Sequence, residues 1–314
     1  MPKGSNSNSI VTANNGLRAL CAVSTNALAT GVVQGRTALQ MNARYHEGLI
    51  QFRRRCTDNG VISNCISSLF TNDSKGLVTH LSAANTPRIA DIGCGDGMIT
   101  SHLLSQLCKH LVGNVLFDVI EPEAGYIQKT EERIKSISEL NRHTTIEFRQ
   151  AKAEEFFDAA TTSVFNFIFS SHSLHLISLE AFKNILKSLV PGGYLVVVIG
   201  AKTSVMSELK DLFVEKPTIT GSDISETAHQ LPHNEFSVSV EVFPSVLCLE
   251  GVELPENFDD LTEEAKNLLS LLVQANLDTV GQAGYEKARA VILKRENGSQ
   301  LVLDNDLIII RRRG

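Results

Sequence analysis

An α/β chain in which seven strands alternate with helices is predicted by three features of the sequence. Short apolar runs recur through residues 88–200, bounded by turn chemistry, and have the length of strands. The segments between them repeat apolar residues at intervals of three and four, the period of an amphipathic helix. A glycine-rich turn, Gly93-Cys94-Gly95-Asp96-Gly97, joins the first apolar run to the first such helix. Strands this short and apolar are of the kind covered by helices on both faces of a sheet.

Taken in order, Tyr45, Leu49, Phe52 and Cys56 fall at helical spacing from about Met41. Val61, Ile62, Cys65, Ile66, Leu69 and Phe70 form a second stripe after the Asp58-Asn59-Gly60 break, so two helices precede the first strand. Asn72-Asp73 and Asn85-Thr86-Pro87 are turns. Strands are expected at 88–92, 115–121, 145–149, 164–171, 194–200, about 236–243 and 306–311, and helices at 98–111, 123–138, 178–188 and 204–214. A helical insertion at about 256–298, with helices over Leu261–Val273 and Tyr285–Lys294, separates the last two strands and would cover a substrate cleft. The expected organisation is a leader at 1–40, an N-terminal helical substrate cap at 41–85, and the main domain at 86–314.

Composition narrows the function. With 43% hydrophobic and 20% charged residues among 314, the chain packs rather than remaining disordered. Six cysteines without a C-x-x-C pair indicate free thiols in a reducing, cytoplasmic setting rather than a disulfide scaffold or a cysteine zinc site. A net charge of −6 argues against nucleic acid as partner. Residues 1–55 carry seven basic side chains and one acid, and up to about Gln40 the chain is rich in Ser, Asn, Thr and Ala. That composition is a loose polar leader or, alternatively, an organellar transit segment. Its 17 uncharged residues between Arg18 and Arg36 are too few and too polar to span a bilayer, so no membrane anchor is expected.

Ile89-Ala90-Asp91-Ile92, the glycine turn and the helix from Met98 give strand, turn and helix in the order an anion-binding turn requires. Glycines let the backbone approach a ligand at a helix N-terminus, where the amides and the peptide dipoles favour negative groups. The next strand ends in Glu121, and a carboxylate at that tip can accept hydrogen bonds from a ribose diol. Gly93, Gly95 and Gly97 read G-x-G-x-G, with Met98 where a dinucleotide motif would carry its third glycine, so the ligand is a nucleoside without pyrophosphate.

These residues resemble the class I S-adenosylmethionine-dependent methyltransferases. Asp91-Ile92-Gly93-Cys94-Gly95-Asp96-Gly97 looks like their first motif, Glu121 like the ribose-binding acid, and Ala151-Lys152-Ala153-Glu154 like the adenine loop, although an acid often stands where this chain has Lys152. Phe165–Ser171 with His172-Ser173-Leu174-His175 is similar to their fourth strand and active-site lip, and Leu189–Tyr194 to the turn entering the fifth. The resemblance implies a Rossmann-like, seven-stranded, mostly parallel sheet with an antiparallel last strand. It also implies S-adenosyl-L-methionine as cofactor, held by Asp91, Gly93, Gly95, Gly97, Glu121, Ala153, Glu154 and Ser171. Within that class the chain resembles histamine N-methyltransferase-like enzymes through Val119–Glu123, Tyr45 with Phe52-Arg53-Arg54, and Leu303-Asp304-Asn305-Asp306. This implies substrate contacts at Tyr45, His172, His175 and Asn305, with Asp58 the nearest candidate for an N-terminal substrate-holding acid.

Methyl transfer is an in-line displacement, for which positioning and exclusion of water suffice without covalent catalysis. His172 is the candidate for substrate contact or for a base that takes a proton from an amine; His175 is expected to pack at the strand end. His172-x-x-His175 lacks further ligands, so no metal is expected. Arg53-Arg54-Arg55 and Arg311-Arg312-Arg313 are expected to be solvated. The expected function is methylation of a small molecule at an amine nitrogen by a monomer, the alternatives being O- or S-methylation or a catalytically silent cofactor-binding protein.

Overall fold

Hydrogen bonding among the short apolar runs decides the architecture. The computed structural model describes residues 43–137, 143–158, 162–174, 177–213 and 221–314. Its strands are β1 (Arg88–Ile92), β2 (Val115–Ile120), β3 (Thr144–Arg149), β4 (Phe165–Ser171), β5 (Leu189–Gly200), β6 (Phe236–Cys248) and β7 (Gln300–Arg312). They form one seven-stranded sheet in the order β3-β2-β1-β4-β5-β7-β6. Pairings from β3 through β5 are parallel, and β7 runs antiparallel to both of its neighbours. Central β1 is buried over its last four residues, whereas edge strand β3 alternates half-buried and exposed. The predicted fold class, with its antiparallel last strand, is the observed one.

The helices are α1 (Ala43–Arg55), α2 (Asp58–Asn72), α3 (Leu77–Ala83), α4 (Met98–His110), α5 (Ala124–Lys135), α6 (Ala153–Phe156), α7 (Leu179–Ser188), α8 (Val205–Asp211), α9 (Gly221–His229), α10 (Glu263–Val273) and α11 (Leu277–Arg295). One face of the sheet buries Phe117, Val119, Phe167 and Phe169 against Ile62, Ile66, Leu103 and Leu107 of α2 and α4. The other buries Ile168, Leu195 and Val197 against Phe182, Ile185 and Ile224 of α7 and α9. A third cluster joins Leu268 and Leu272 of α10 and Ile292 of α11 to Leu247, Leu301 and Leu303 at the far ends of β6 and β7.

The differences from expectation have local causes. Among the described residues three helices, not two, precede β1, because α3 is a seven-residue helix set behind the Asn72-Asp73 turn. The short α6 and α9 also went unrecognised in the sequence. β5 begins at Leu189, and the Pro191-Gly192-Gly193 turn is a bulge across which the register slips from Phe165↔Leu189 to Phe167↔Tyr194. α11 starts at Leu277 and contains a non-helical Gly281, which breaks the periodicity ahead of Tyr285. β6 and β7 pair well past their expected ends, from Phe236↔Arg312 to Cys248↔Gln300. Pro244 reads as a strand stop, but within the sheet β6 pairs only with β7, and an edge strand tolerates a missing N–H.

That longer β6–β7 ribbon positions the start of the chain's described part. The α1–α2 junction docks on it: Cys56 bridges Leu247, the Thr57 N–H donates to Val246 O at 2.9 Å, and the Val246 N–H donates to Thr57 Oγ1 at 2.9 Å. α1 in turn crosses α10 at Gly48, where an added Cβ would stand 2.2 Å from the Asn267 carbonyl oxygen. The leader at 1–40 lies outside the described residues. No described helix is long and apolar enough to cross a membrane.

Candidate active site

In a parallel sheet the loops leaving the carboxyl ends of the strands share one edge, and the glycine turn stands there between β1 and α4. Gly93 and Gly97 have φ of +71° and +77°. A Cβ on Gly93 would fall 2.3 Å from Ser173 Cβ, and one on Gly97 would fall 2.7 Å from Thr130 Oγ1 on α5. Two of the three glycines are therefore needed for packing, and Gly97 takes the helix-packing role that a dinucleotide motif gives to its last glycine.

Gly95 faces the neighbouring strand tip. Its N–H donates to Glu121 Oε2 at 3.1 Å, while Glu121 Oε1 accepts the Glu123 N–H at 3.1 Å. The Thr130 hydroxyl donates to Gly95 O at 2.9 Å, tying the turn to α5. Burial raises the Glu121 pKa above the usual carboxylate range, with the two backbone N–H donors pulling the other way. A carboxylate offers about four acceptor sites, so two remain for a ribose diol. Beneath the turn, buried Asp91 accepts the Thr100 hydroxyl at 2.6 Å. Burial pushes its carboxyl up to about 7, against the Thr100 hydrogen bond and with help from the Glu121 charge.

A second polar group closes the same edge. His172 follows β4 with φ of +53°, held by its N–H to Val198 O at 2.8 Å. Its Nε2 stands 3.0 Å from Asp58 Oδ2, and Asn305 Nδ2 donates to Asp58 Oδ1 at 3.0 Å and to Ser245 Oγ at 3.1 Å. Asn305 pairs with Gly200 in the register of β7 on β5, so the strand reversal brings it to the carboxyl edge. Burial opposes charge on both Asp58 and His172. Their mutual attraction and hydrogen bond outweigh it, together with donors to Asp58, so Asp58 titrates below and His172 above the usual value. Nearby Cys56 stays a thiol: burial, then the Asp58 charge, push it up to about 11.

A cavity of about 160 Å³ joins the two groups, with Asp91, Gly93, Gly95 and Ser171 at one end and Asp58, His172 and Asn305 at the other. Its apolar wall includes Leu49 and Phe52 of α1, Met206 of α8 and Leu271 of α10. Glu121 touches this set through Gly95. Ala153 and Glu154 stand apart from the lining: Ala153 is buried in the core, and Glu154 Oε1 accepts the Ser178 N–H at 3.2 Å, tying α6 to α7. Tyr45 lies on α1, but its side chain and the whole of His175 lie outside the described residues.

The basic runs are not uniformly solvated. Arg53 Nη1 pairs with Asp96 at 2.8 Å in the glycine turn, Arg55 pairs with Glu264 at 2.7 Å, and Arg54 is exposed. Arg312 donates to the Lys187 and Leu189 carbonyls, and Arg311 lies over the Tyr194 ring at 5.3 Å. Arg53, Thr100, Leu271 and Gln274 were not recognised from the sequence as part of the site. Arg53 stands on the same α1 face as Leu49 and Phe52, and this spacing was the available signal for it.

The residues present fit S-adenosyl-L-methionine. The turn narrows at glycines where a side chain would clash, and a half-used carboxylate stands beside it. Among solved structures, the chain is similar to a putative methyltransferase from Bacillus halodurans (14% identity, TM-score 0.46, 77% of this chain and 100% of that one). It is also similar to a putative sarcosine dimethylglycine methyltransferase from Galdieria sulphuraria (11%, TM-score 0.45, 79% and 85%). A geranyl diphosphate methyltransferase in complex with S-adenosylmethionine is similar as well (16%, TM-score 0.40, 77% and 85%). No curated protein matches the chain. Residues 89–193, which hold the glycine turn, Glu121 and His172, match the family model described as a methyltransferase domain. Residues 89–193 thus form a methyltransferase domain, the chain is an enzyme, and its cofactor is S-adenosyl-L-methionine.

Proposed function

We propose that the chain methylates an amine nitrogen of a small molecule, with His172 touching the substrate and acting as its base. The observation that carries this is the Asp58–His172–Asn305 cluster standing in the same cavity as the glycine turn. When bound, the cofactor supplies an electrophilic methyl carbon.

An ammonium group cannot attack until it loses a proton. Asp58 holds one ring nitrogen of His172, leaving the other to receive that proton, and Asn305 holds the second Asp58 oxygen so that the carboxylate does not turn away. The raised His172 pKa suits a base working near neutral pH, a role worth about 10²–10⁴-fold in rate. Leu49, Phe52 and Leu271 exclude water from the path. The resemblance to histamine N-methyltransferase-like enzymes supports the same assignment, because the substrate contacts it implies include His172 and Asn305, with Asp58 the nearest candidate for the substrate-holding acid.

The test is a panel of small amines, alcohols and thiols with a radiolabelled methyl donor. Transfer to amines is expected, and His172→Ala should lower turnover at least about 100-fold while cofactor affinity stays nearly constant. Label found only on oxygen or sulfur, or unchanged turnover in the variant, overturns the assignment.

A further inference from the structure

The glycine turn is covered from outside the 89–193 domain. Arg53, on α1, places its guanidinium over Gly95, where Nη2 is 3.2 Å from the position of an added Cβ, and pairs through Nη1 with Asp96 at 2.8 Å. α1 holds it there firmly. Gly48 seats the helix against the α10 backbone, Arg44 pairs with Glu263 at 2.8 Å and Asp278 at 2.6 Å, and Arg55 with Glu264 at 2.7 Å. The Arg53 side chain keeps 27% of its surface exposed and lines both the inner cavity and the wider groove running along α5.

Charge around the turn is otherwise negative: Asp91, Asp96 and Glu121 all face it, with Glu123 beside them. Arg133 and Lys129 of α5 line the groove but not the inner cavity: Arg133 donates to the Asp96 carbonyl at 3.0 Å, and the Lys129 ammonium lies over the Tyr126 ring. The cofactor carries two positive centres, its ammonium and sulfonium groups, which suit those acids. It also carries one carboxylate, which does not.

We infer that Arg53 binds the carboxylate of the cofactor's methionine arm, so that the first described helix completes the cofactor site and closes it. This rests on the cofactor assigned above. The guanidinium presents five N–H donors in a fixed fork and can take a carboxylate while retaining Asp96. It is a binding residue, because its target is the cofactor itself. The inference also gives a role to a basic side chain set against a turn whose backbone already offers amides to an anion.

Titration calorimetry with three probes tests it: S-adenosyl-L-methionine, S-adenosyl-L-homocysteine, and decarboxylated S-adenosylmethionine, which lacks only the carboxylate. Arg53→Gln should weaken the two carboxylate-bearing probes by about 10- to 100-fold, the usual worth of a charge-assisted hydrogen bond. The decarboxylated probe should bind the variant and the unsubstituted chain within about twofold, since the lost contact is one it never makes. Arg53→Lys, which keeps the charge but not the fork that holds Asp96 and a carboxylate together, should recover only part of the lost affinity. Equal weakening of all three probes by Arg53→Gln, or no weakening of any, overturns the inference. Binding of none of the three by the unsubstituted chain overturns the cofactor assignment first, and the inference with it.

Discussion

Asp58 Oδ2 and His172 Nε2 are 114 positions apart in sequence and 3.0 Å apart in space. The two are brought together by the β6–β7 ribbon, on which the α1–α2 junction docks through Thr57 and Val246 beside Asn305. His172 of the 89–193 domain is therefore held by an acid from outside it.

Replacing Asp58 by Asn leaves the burial of His172 unopposed, so the His172 midpoint should fall from above its usual value to below it. Two-dimensional NMR of the ring protons reads this directly. The acid limb of kcat/KM should move to lower pH, and kcat should drop about 10-fold or more as the ring loses its fixed tautomer. Stability follows with a defined sign. The raised His172 contributes below its unfolded pKa and loses that as pH rises through its folded value; the lowered Asp58 contributes above its unfolded pKa and loses that in acid. The Tm deficit of the variant should thus be largest between about pH 4 and 6.5 and shrink above that. An unmoved NMR midpoint would show that the two groups are not coupled.

Glu121→Ala removes both the acceptor of the Gly95 N–H and the expected ribose contact. Cofactor affinity should fall about 10- to 100-fold, the cost of a charged hydrogen-bond partner, with the melting transition of the ligand-free chain within a few degrees of the parent. Adenosine, which shares only the nucleoside, should lose affinity in parallel. Retained adenosine affinity would exclude the ribose role.

Much of this site was legible in the sequence, for identifiable reasons. Asp91, the glycines and Glu121 sit at the ends of short apolar strands, where pattern and punctuation agree. Asp58 and Asn305 were singled out by resemblance, but their contact was not visible, because Pro244 and Asp304-Asn305-Asp306 read as the ends of strands that in fact continue to Cys248 and Gln300. Arg53 was hidden in a run of three arginines. Successive helical side chains point about 100° apart, so Arg53 meets Asp96, Arg54 faces solvent and Arg55 meets Glu264, and only the tertiary partner tells them apart.

Asp91 gives a pH test of the cofactor site. Its carboxyl is pushed up to about 7, so it is largely protonated at pH 6 and ionised at pH 8. A cationic cofactor should favour the ionised form. Affinity for S-adenosyl-L-methionine should therefore rise over about two pH units around neutrality, with proton release below pH 7, seen as buffer-dependent calorimetric heats. Asp91→Asn should flatten that rise. Because the raised carboxyl costs the fold stability above its unfolded pKa, the same variant should gain thermal stability relative to the parent as pH increases from about 4 to 8. A parent whose affinity is flat from pH 6 to 8 would remove Asp91 from the cofactor site.

Gly95 and Gly97 should fail in different ways when changed to Ala, though both have positive φ. At Gly97 the new Cβ would meet both the side chain and the main chain of Thr130, every one of the three nearest atoms lying within 2.8 Å, and that main chain cannot be moved without moving α5. The strained backbone and the overpacking together should cost about 2–4 kcal/mol in chemical denaturation. Thr130→Ala in the same chain should restore only part, since the clash with the main chain remains. At Gly95 the nearest atom is the end of the flexible Arg53 side chain at 3.2 Å, which can swing aside. The stability cost there should be no more than about 1–2 kcal/mol, from φ alone, but the new methyl group stands in the cofactor's path, so affinity should fall by more than 10-fold. Gly113→Ala, with nothing within 4 Å of the added carbon, is the control and should change neither quantity. If Gly97→Ala instead lowered affinity while leaving denaturation unchanged, the division between packing glycine and ligand-facing glycine would be reversed, and the approach of the cofactor would have to be moved toward α5.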